Sequence, residues 1–89
     1  MSAMDTEESR IALIGIIVED LAATEDMNRI LHAYAPYIVG RMGLPYRKNN
    51  VSIVSVVMDA PQGIISAVSG KLGMIKGLNV KTMISKASV

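Results

Sequence analysis

Two short basic segments, each framed by glycine, offer the clearest chemistry in this chain: Gly40-Arg41-Met42-Gly43-Leu44-Pro45-Tyr46 and Gly70-Lys71-Leu72-Gly73-Met74-Ile75-Lys76-Gly77. Glycine lets the backbone turn sharply or lets another group approach it closely. Exposed backbone N–H groups beside a guanidinium or an ammonium are a common way to hold a carboxylate or a phosphate. Arg41 and Lys71 are therefore candidate anion ligands, with Gly40, Gly43, Gly70 and Gly73 as the backbone that would accompany them and Lys81 as a third cation. Asn28 and His32 stand at i, i+4, so one helix flank would present both, to a small ligand or as one metal ligand per subunit. Taken singly, each cation reads equally well as a solvated surface residue.

Other chemistries fit less well. A phosphate-binding P-loop would need four residues between its glycines and a Ser or Thr after the lysine. Here six residues separate Gly63 from Gly70, Leu72 follows Lys71, and the lysine falls at a helix end, where the dipole attracts cations. Gly40-Arg41-Met42-Gly43 has the spacing of a KH backbone clamp, but that clamp joins two helices and this segment reads as strand. The aromatic residues are Tyr34, Tyr37 and Tyr46, none on a central strand, so no stacking platform for bases is expected. A single histidine and no cysteine exclude a disulfide framework, a thiolate nucleophile and Cys-ligated metal, and no metal site or cofactor is expected. Asp59, at a strand-to-helix junction, reads as a helix cap rather than a general base. No nucleophile, base and orienting group can be assembled, so the chain is not expected to be an enzyme.

The elements that position these residues follow from hydropathy. Half of the 89 residues are hydrophobic, without Phe or Trp, and the core must be built from Ile, Val, Leu, Ala and Met. Residues 10–18, continuously apolar from Ile11 onward apart from Gly15, show the pattern of a strand buried on both faces. Met27, Ile30, Leu31 and Tyr34 recur at i, i+3, i+4 and i+7 and predict a helix over 22–35, stopped by Pro36. A second strand is expected over 38–44, with Ile38, Met42 and Leu44 on one face and Val39 and Arg41 on the other, followed by turn residues 45–50. Residues 51–58 predict a third strand, apolar on both faces. Asp59-Ala60-Pro61 then opens a helix with proline in its first turn, striped by Ile65, Val68 and Leu72 with Ile64 and Ala67, and ended by Gly73. Gly77 turns into a fourth strand over 78–85.

The order β-α-β-β-α-β with right-handed crossovers is an α+β, ferredoxin-like arrangement: a four-stranded antiparallel sheet with two helices on one face, the first and third strands central. One such domain is expected over 10–86, after a flexible acidic tail over 1–9. The helices cover one face only, and the apolar side chains left on the other predict a homo-oligomer. The longest apolar run, Ile11 to Val18, is far short of the roughly 20 residues that cross a bilayer, and the polar start is unlike a signal peptide, so a cytoplasmic location and no membrane partner are expected. The net charge of +1 divides unevenly: residues 27–89 hold eight bases and one acid, Asp59, or 8 − 1 = +7. That excess suggests an anionic partner, unless the acidic and basic halves interleave and cancel in space.

The chain resembles a small family named as iron-only hydrogenase system regulators, related in fold to the ligand-sensing C-terminal domain of the nickel-responsive repressor and to ACT domains. The resemblance is carried by residues 14–20, by Asn28 with Leu31 and His32, by residues 38–46, by Gly70-Lys71-Leu72-Gly73, and by Gly77 with Val80 and Lys81. It implies a ferredoxin-like fold, homo-oligomers and a regulatory role beside hydrogenase assembly or expression, and it carries no catalytic residues. Nickel sensing is not implied, since that repressor uses a cysteine and several histidines. Its ribbon-helix-helix DNA-binding arm has no counterpart in the short acidic start, so direct DNA binding is not expected and regulation would act through a protein partner. The leading expectation is a homo-oligomeric dimer or tetramer that binds a small anionic metabolite near subunit interfaces. The alternatives are a nucleic-acid binder using the basic region after residue 27, and a structural subunit whose glycines permit tight packing.

Overall fold

Strict alternation of buried and exposed residues along the first strand decides which side of the sheet becomes the core. Ala12, Ile14, Ile16 and Val18 are at most 1% exposed, whereas Leu13 and Ile17 between them are about two-fifths exposed. In the computed structural model, which describes residues 8–46 and 50–88, these belong to β1 (Ser9–Val18). A 3-10 turn (Leu21–Ala23) leads into α1 (Thr24–Ala33), and a second (Ala35–Tyr37) carries the chain to β2 (Ile38–Tyr46). Then follow β3 (Val51–Pro61), α2 (Gln62–Gly73) and β4 (Leu78–Ser88). The strands form one antiparallel sheet in the order β2-β3-β1-β4. The expected α+β topology is thus present, with the first and third strands central. Most of the acidic tail expected over 1–9 lies outside the described residues.

The core lies between the sheet and the helices. Val54, Val56 and Met58 of β3 join the inward residues of β1, and Ile65, Val68 and Leu72 supply the buried stripe of α2. Met27 and Leu31 of α1 are buried, with Ile30 and Tyr34 packed against the same cluster. The helical periodicity is therefore borne out, but α1 is shorter than expected, because the chain takes the tighter 3-10 turn on either side of it. Asp20 fixes the entry by accepting a 3.0 Å hydrogen bond from the Ala22 N–H. Pro36 lies within the second 3-10 turn.

Three local readings are corrected. Asp59 does not cap α2: it is an exposed residue within β3, the N-cap is Pro61 without a side-chain cap bond, and proline therefore precedes the first turn instead of occupying it. Pro45 and Tyr46 extend β2 rather than opening the turn, and residues 47–49 lie outside the described residues. The faces of β2 also differ. Its register against β3 shifts between Ile38 and Gly40, so that Ile38 pairs with Met58 and Arg41 with Val56, both core-facing partners. One extra residue inverts the alternation beyond it. Ile38 and Arg41 thus share the helix side, while Met42 and Leu44 face the other way.

Gly77 is the one described glycine with a positive φ, +95°. Its carbonyl accepts the N–H groups of Glu19 and Asp20 at 2.8 and 3.2 Å, which ties the end of β1 to the turn before β4. A Cβ there would stand 2.7 Å from that of Asp20, so this position demands glycine on both backbone and steric grounds. On the other side of the helix layer, the Ser69 and Thr82 hydroxyls meet at 2.7 Å and fasten α2 to β4.

Candidate functional site

The bulge in β2 creates the site. By turning Arg41 toward α1 it brings Arg41 Nη2 within 3.0 Å of Asn28 Oδ1, to which it donates. Asn28 is placed there because Met27 and Leu31 anchor the opposite flank of α1 in the core. His32, one turn beyond Asn28, lies on the same exposed side, and the three polar residues line an open cleft of about 450 Å³. Leu31, Ala35 and Ile38 give the cleft an apolar floor. Arg41 also walls a second depression of about 340 Å³ that runs toward Gly43, Ser52 and Thr24, so the guanidinium stands between two openings along the β2 edge.

A guanidinium has five N–H donors, and one pointing at an amide oxygen leaves most of the fork available. Among the described residues no carboxylate forms an ion pair with Arg41; the ion pairs there are Arg29 with Asp26 and Glu25, on the exposed side of α1. A cleft with one oriented guanidinium, an amide, an imidazole and aliphatic walls can hold a small carboxylate by its charge and by a short apolar tail. The described residues hold no cluster of three or more His, Asp or Glu side chains that could bind a metal ion.

The structure gathers Arg41, Asn28 and His32 and separates the other candidate cations from them. Lys71 is exposed in the last turn of α2, the helix that Ser69 fastens to β4. Since β2 and β4 are opposite edges of the sheet, Arg41 and Lys71 belong to sides about 14 Å apart by strand spacing. Lys81 pairs across the sheet with Gly15 and faces away from the helices. Gly40, Gly43, Gly70 and Gly73 have negative or extended φ and nothing within 4 Å of a built Cβ, so no contact among the described residues requires glycine there. The cleft floor was absent from the sequence reading. Its signal was Gly40 inside a strand, which marks a bulge and would have turned Arg41 toward Ile38.

The fold and the cleft together define a small α+β module of ferredoxin-like topology, with an oriented arginine, Arg41, at one sheet edge. The chain belongs to the family described as TM1266-like, "Iron-only hydrogenase system regulator, putative", which matches residues 10–82. It is similar in structure to the uncharacterized protein TM1266 from Thermotoga maritima, with 36% identity and a TM-score of 0.84, over 89% of this chain and 100% of that one. A formyltetrahydrofolate deformylase from Pseudomonas putida KT2440 matches 82% of this chain with 28% of its own length, at 13% identity and a TM-score of 0.59, which shows a shared fold alone. No curated protein matches the chain in sequence. Among the described residues no helix is long and apolar enough to cross a membrane.

Proposed function

We propose that this chain is a non-enzymatic sensor module of the iron-only hydrogenase system, which assembles with copies of itself and binds a small carboxylate in the cleft between α1 and β2. Family membership supports the regulatory role. The observation that carries the ligand is the Arg41 guanidinium held by Asn28 over an apolar floor of Leu31, Ala35 and Ile38. Arg41 takes the carboxylate through its remaining donors, His32 and the Asn28 amide border it, and the aliphatic floor accepts a short tail. Binding ties β2 to α1 more firmly, and a partner protein that prefers the tied state reads the occupancy.

A thermal-shift series with aliphatic monocarboxylates of two to six carbons tests this reading. The expected result is stabilisation of the wild type that grows with tail length and vanishes in Arg41→Ala. Equal stabilisation of both proteins, or none by any acid in the series, contradicts it.

A further inference from the structure

The sheet face turned away from the helices is apolar, and no described residue covers it: Leu13, Ile17, Met42, Leu44, Ile53 and Met83 are 41–72% exposed along it. Cross-strand register orders this face into rows. Leu13, Val57 and Met83 form one apolar ridge, and Ile17, Ile53 and Leu44 form another. Between them runs the row Met42, Ser55, Gly15, Lys81, one residue from each strand. Gly15 supplies no side chain, and a Cβ there would meet only the Lys81 carbonyl, at 3.9 Å. The row is therefore a trough of about 390 Å³ between Leu13 and Lys81, floored by Gly15 and Ser55. Asp59 lies on the same face but four residues along β3 from Ser55, about 13 Å away along the strand, so it does not neutralise Lys81.

We infer that this face closes on the same face of a second copy, and that the Ser55–Gly15–Lys81 troughs then form a chamber that holds a small multivalent anion. The inference rests on the self-assembly part of the reading above, at a site distinct from the Arg41 cleft. Two observations select a second copy as the occupant. Four strands of about eight residues give a footprint on the order of 500 Å² a side, so that two faces together reach the roughly 1,000 Å² a specific interface needs. The face also carries few charges, Lys81 and Asp59 well apart on it, so self-stacking opposes few like charges. Stacking removes Lys81 from water with no carboxylate among the described residues paired to it, which is unfavourable until an anion enters. Two ammonium groups and two Ser55 hydroxyls match a phosphate or a dicarboxylate.

Sedimentation equilibrium tests this on the full chain, in chloride alone and with inorganic phosphate or succinate at matched ionic strength. Phosphate or succinate is expected to tighten dimerisation of the wild type at least tenfold. In Lys81→Met the dimer should be tighter in chloride and indifferent to either anion. Ile53→Glu should be monomeric with an unchanged circular-dichroism spectrum. As a check independent of that variant's folding, Ser55→Cys, the sole thiol in the chain, should react with a maleimide at least tenfold more slowly in the dimer than after dilution to monomer. A monomeric wild type in phosphate, anion dependence that persists in Lys81→Met, or a Ser55→Cys thiol equally reactive in both states overturns the inference. Anion-dependent dimerisation beside a failed carboxylate response at Arg41 would sustain this proposal and reject the other.

Discussion

Arg41 Nη2 donates to Asn28 Oδ1 at 3.0 Å, and this contact ties the edge strand β2 to helix α1 across the mouth of an open cleft. Both partners are exposed, so the contact adds little to folding and instead fixes the guanidinium plane. The bulge between Ile38 and Gly40 is what makes it possible.

Removing either partner should therefore separate stability from binding. Asn28→Ala is expected to change unfolding free energy by no more than about 0.5 kcal/mol, as for a surface substitution, while weakening carboxylate binding several-fold. Arg41→Lys should behave similarly, because an ammonium cannot present the planar fork. Urea denaturation and calorimetric titration on the same preparations check both halves.

Gly77 makes the opposite prediction. Its φ of +95° and the 2.7 Å approach of a built Cβ to Asp20 place strain on any larger residue. Gly77→Ala should lower stability by about 2 kcal/mol or more with the carboxylate response intact, as read by denaturation midpoints. A neutral outcome would mean that the turn joining β1 to β4 rearranges freely.

Gly70 and Gly73 of α2 should tolerate substitution. Gly70 has open space beside it, so Gly70→Ala is expected to raise the stability of the single chain by about 0.5–1 kcal/mol through helix propensity. Thermal unfolding under dilute conditions measures that. Loss of self-association in the same variant would assign the open space to a neighbouring copy.

The Ser69 to Thr82 hydroxyl contact, 2.7 Å and partly buried, is a side-chain hydrogen bond between α2 and β4. Thr82→Val should cost about 1 kcal/mol, and a double-mutant cycle with Ser69→Ala should show that the two losses are not additive. Additive losses would show that the hydroxyls act independently.

Much of the architecture was legible in the sequence because its periodicities are unmixed. Residues 10–18 and 51–58 are apolar on both faces and became the two central strands, and Ile65, Val68 and Leu72 recur at helical spacing and became the buried stripe of α2. Gly77 was legible as a turn for the same local reason. The faces of β2 were not, since alternation counts by two and a bulge breaks the count; Gly40 hinted at it but did not fix its place. Asp59 misled because Asp before Pro imitates a helix start, whereas pairing with Ile11 of β1 holds it in the strand. The candidate site was half legible. Arg41, Asn28 and His32 do meet at one cleft, but grouping them with Lys71 and Lys81 required the sheet order and the sidedness of each strand, which charge and glycine spacing do not encode.

The most direct test is an amide NMR titration of the wild-type chain with a short aliphatic carboxylate. The shifts should cluster at Asn28, His32, Ile38 and Arg41, leave Gly70 to Gly73 unmoved, and disappear in Arg41→Ala. Shifts centred on Lys71, or none anywhere at millimolar acid, would contradict the assignment of the cleft between α1 and β2 as the sensing site.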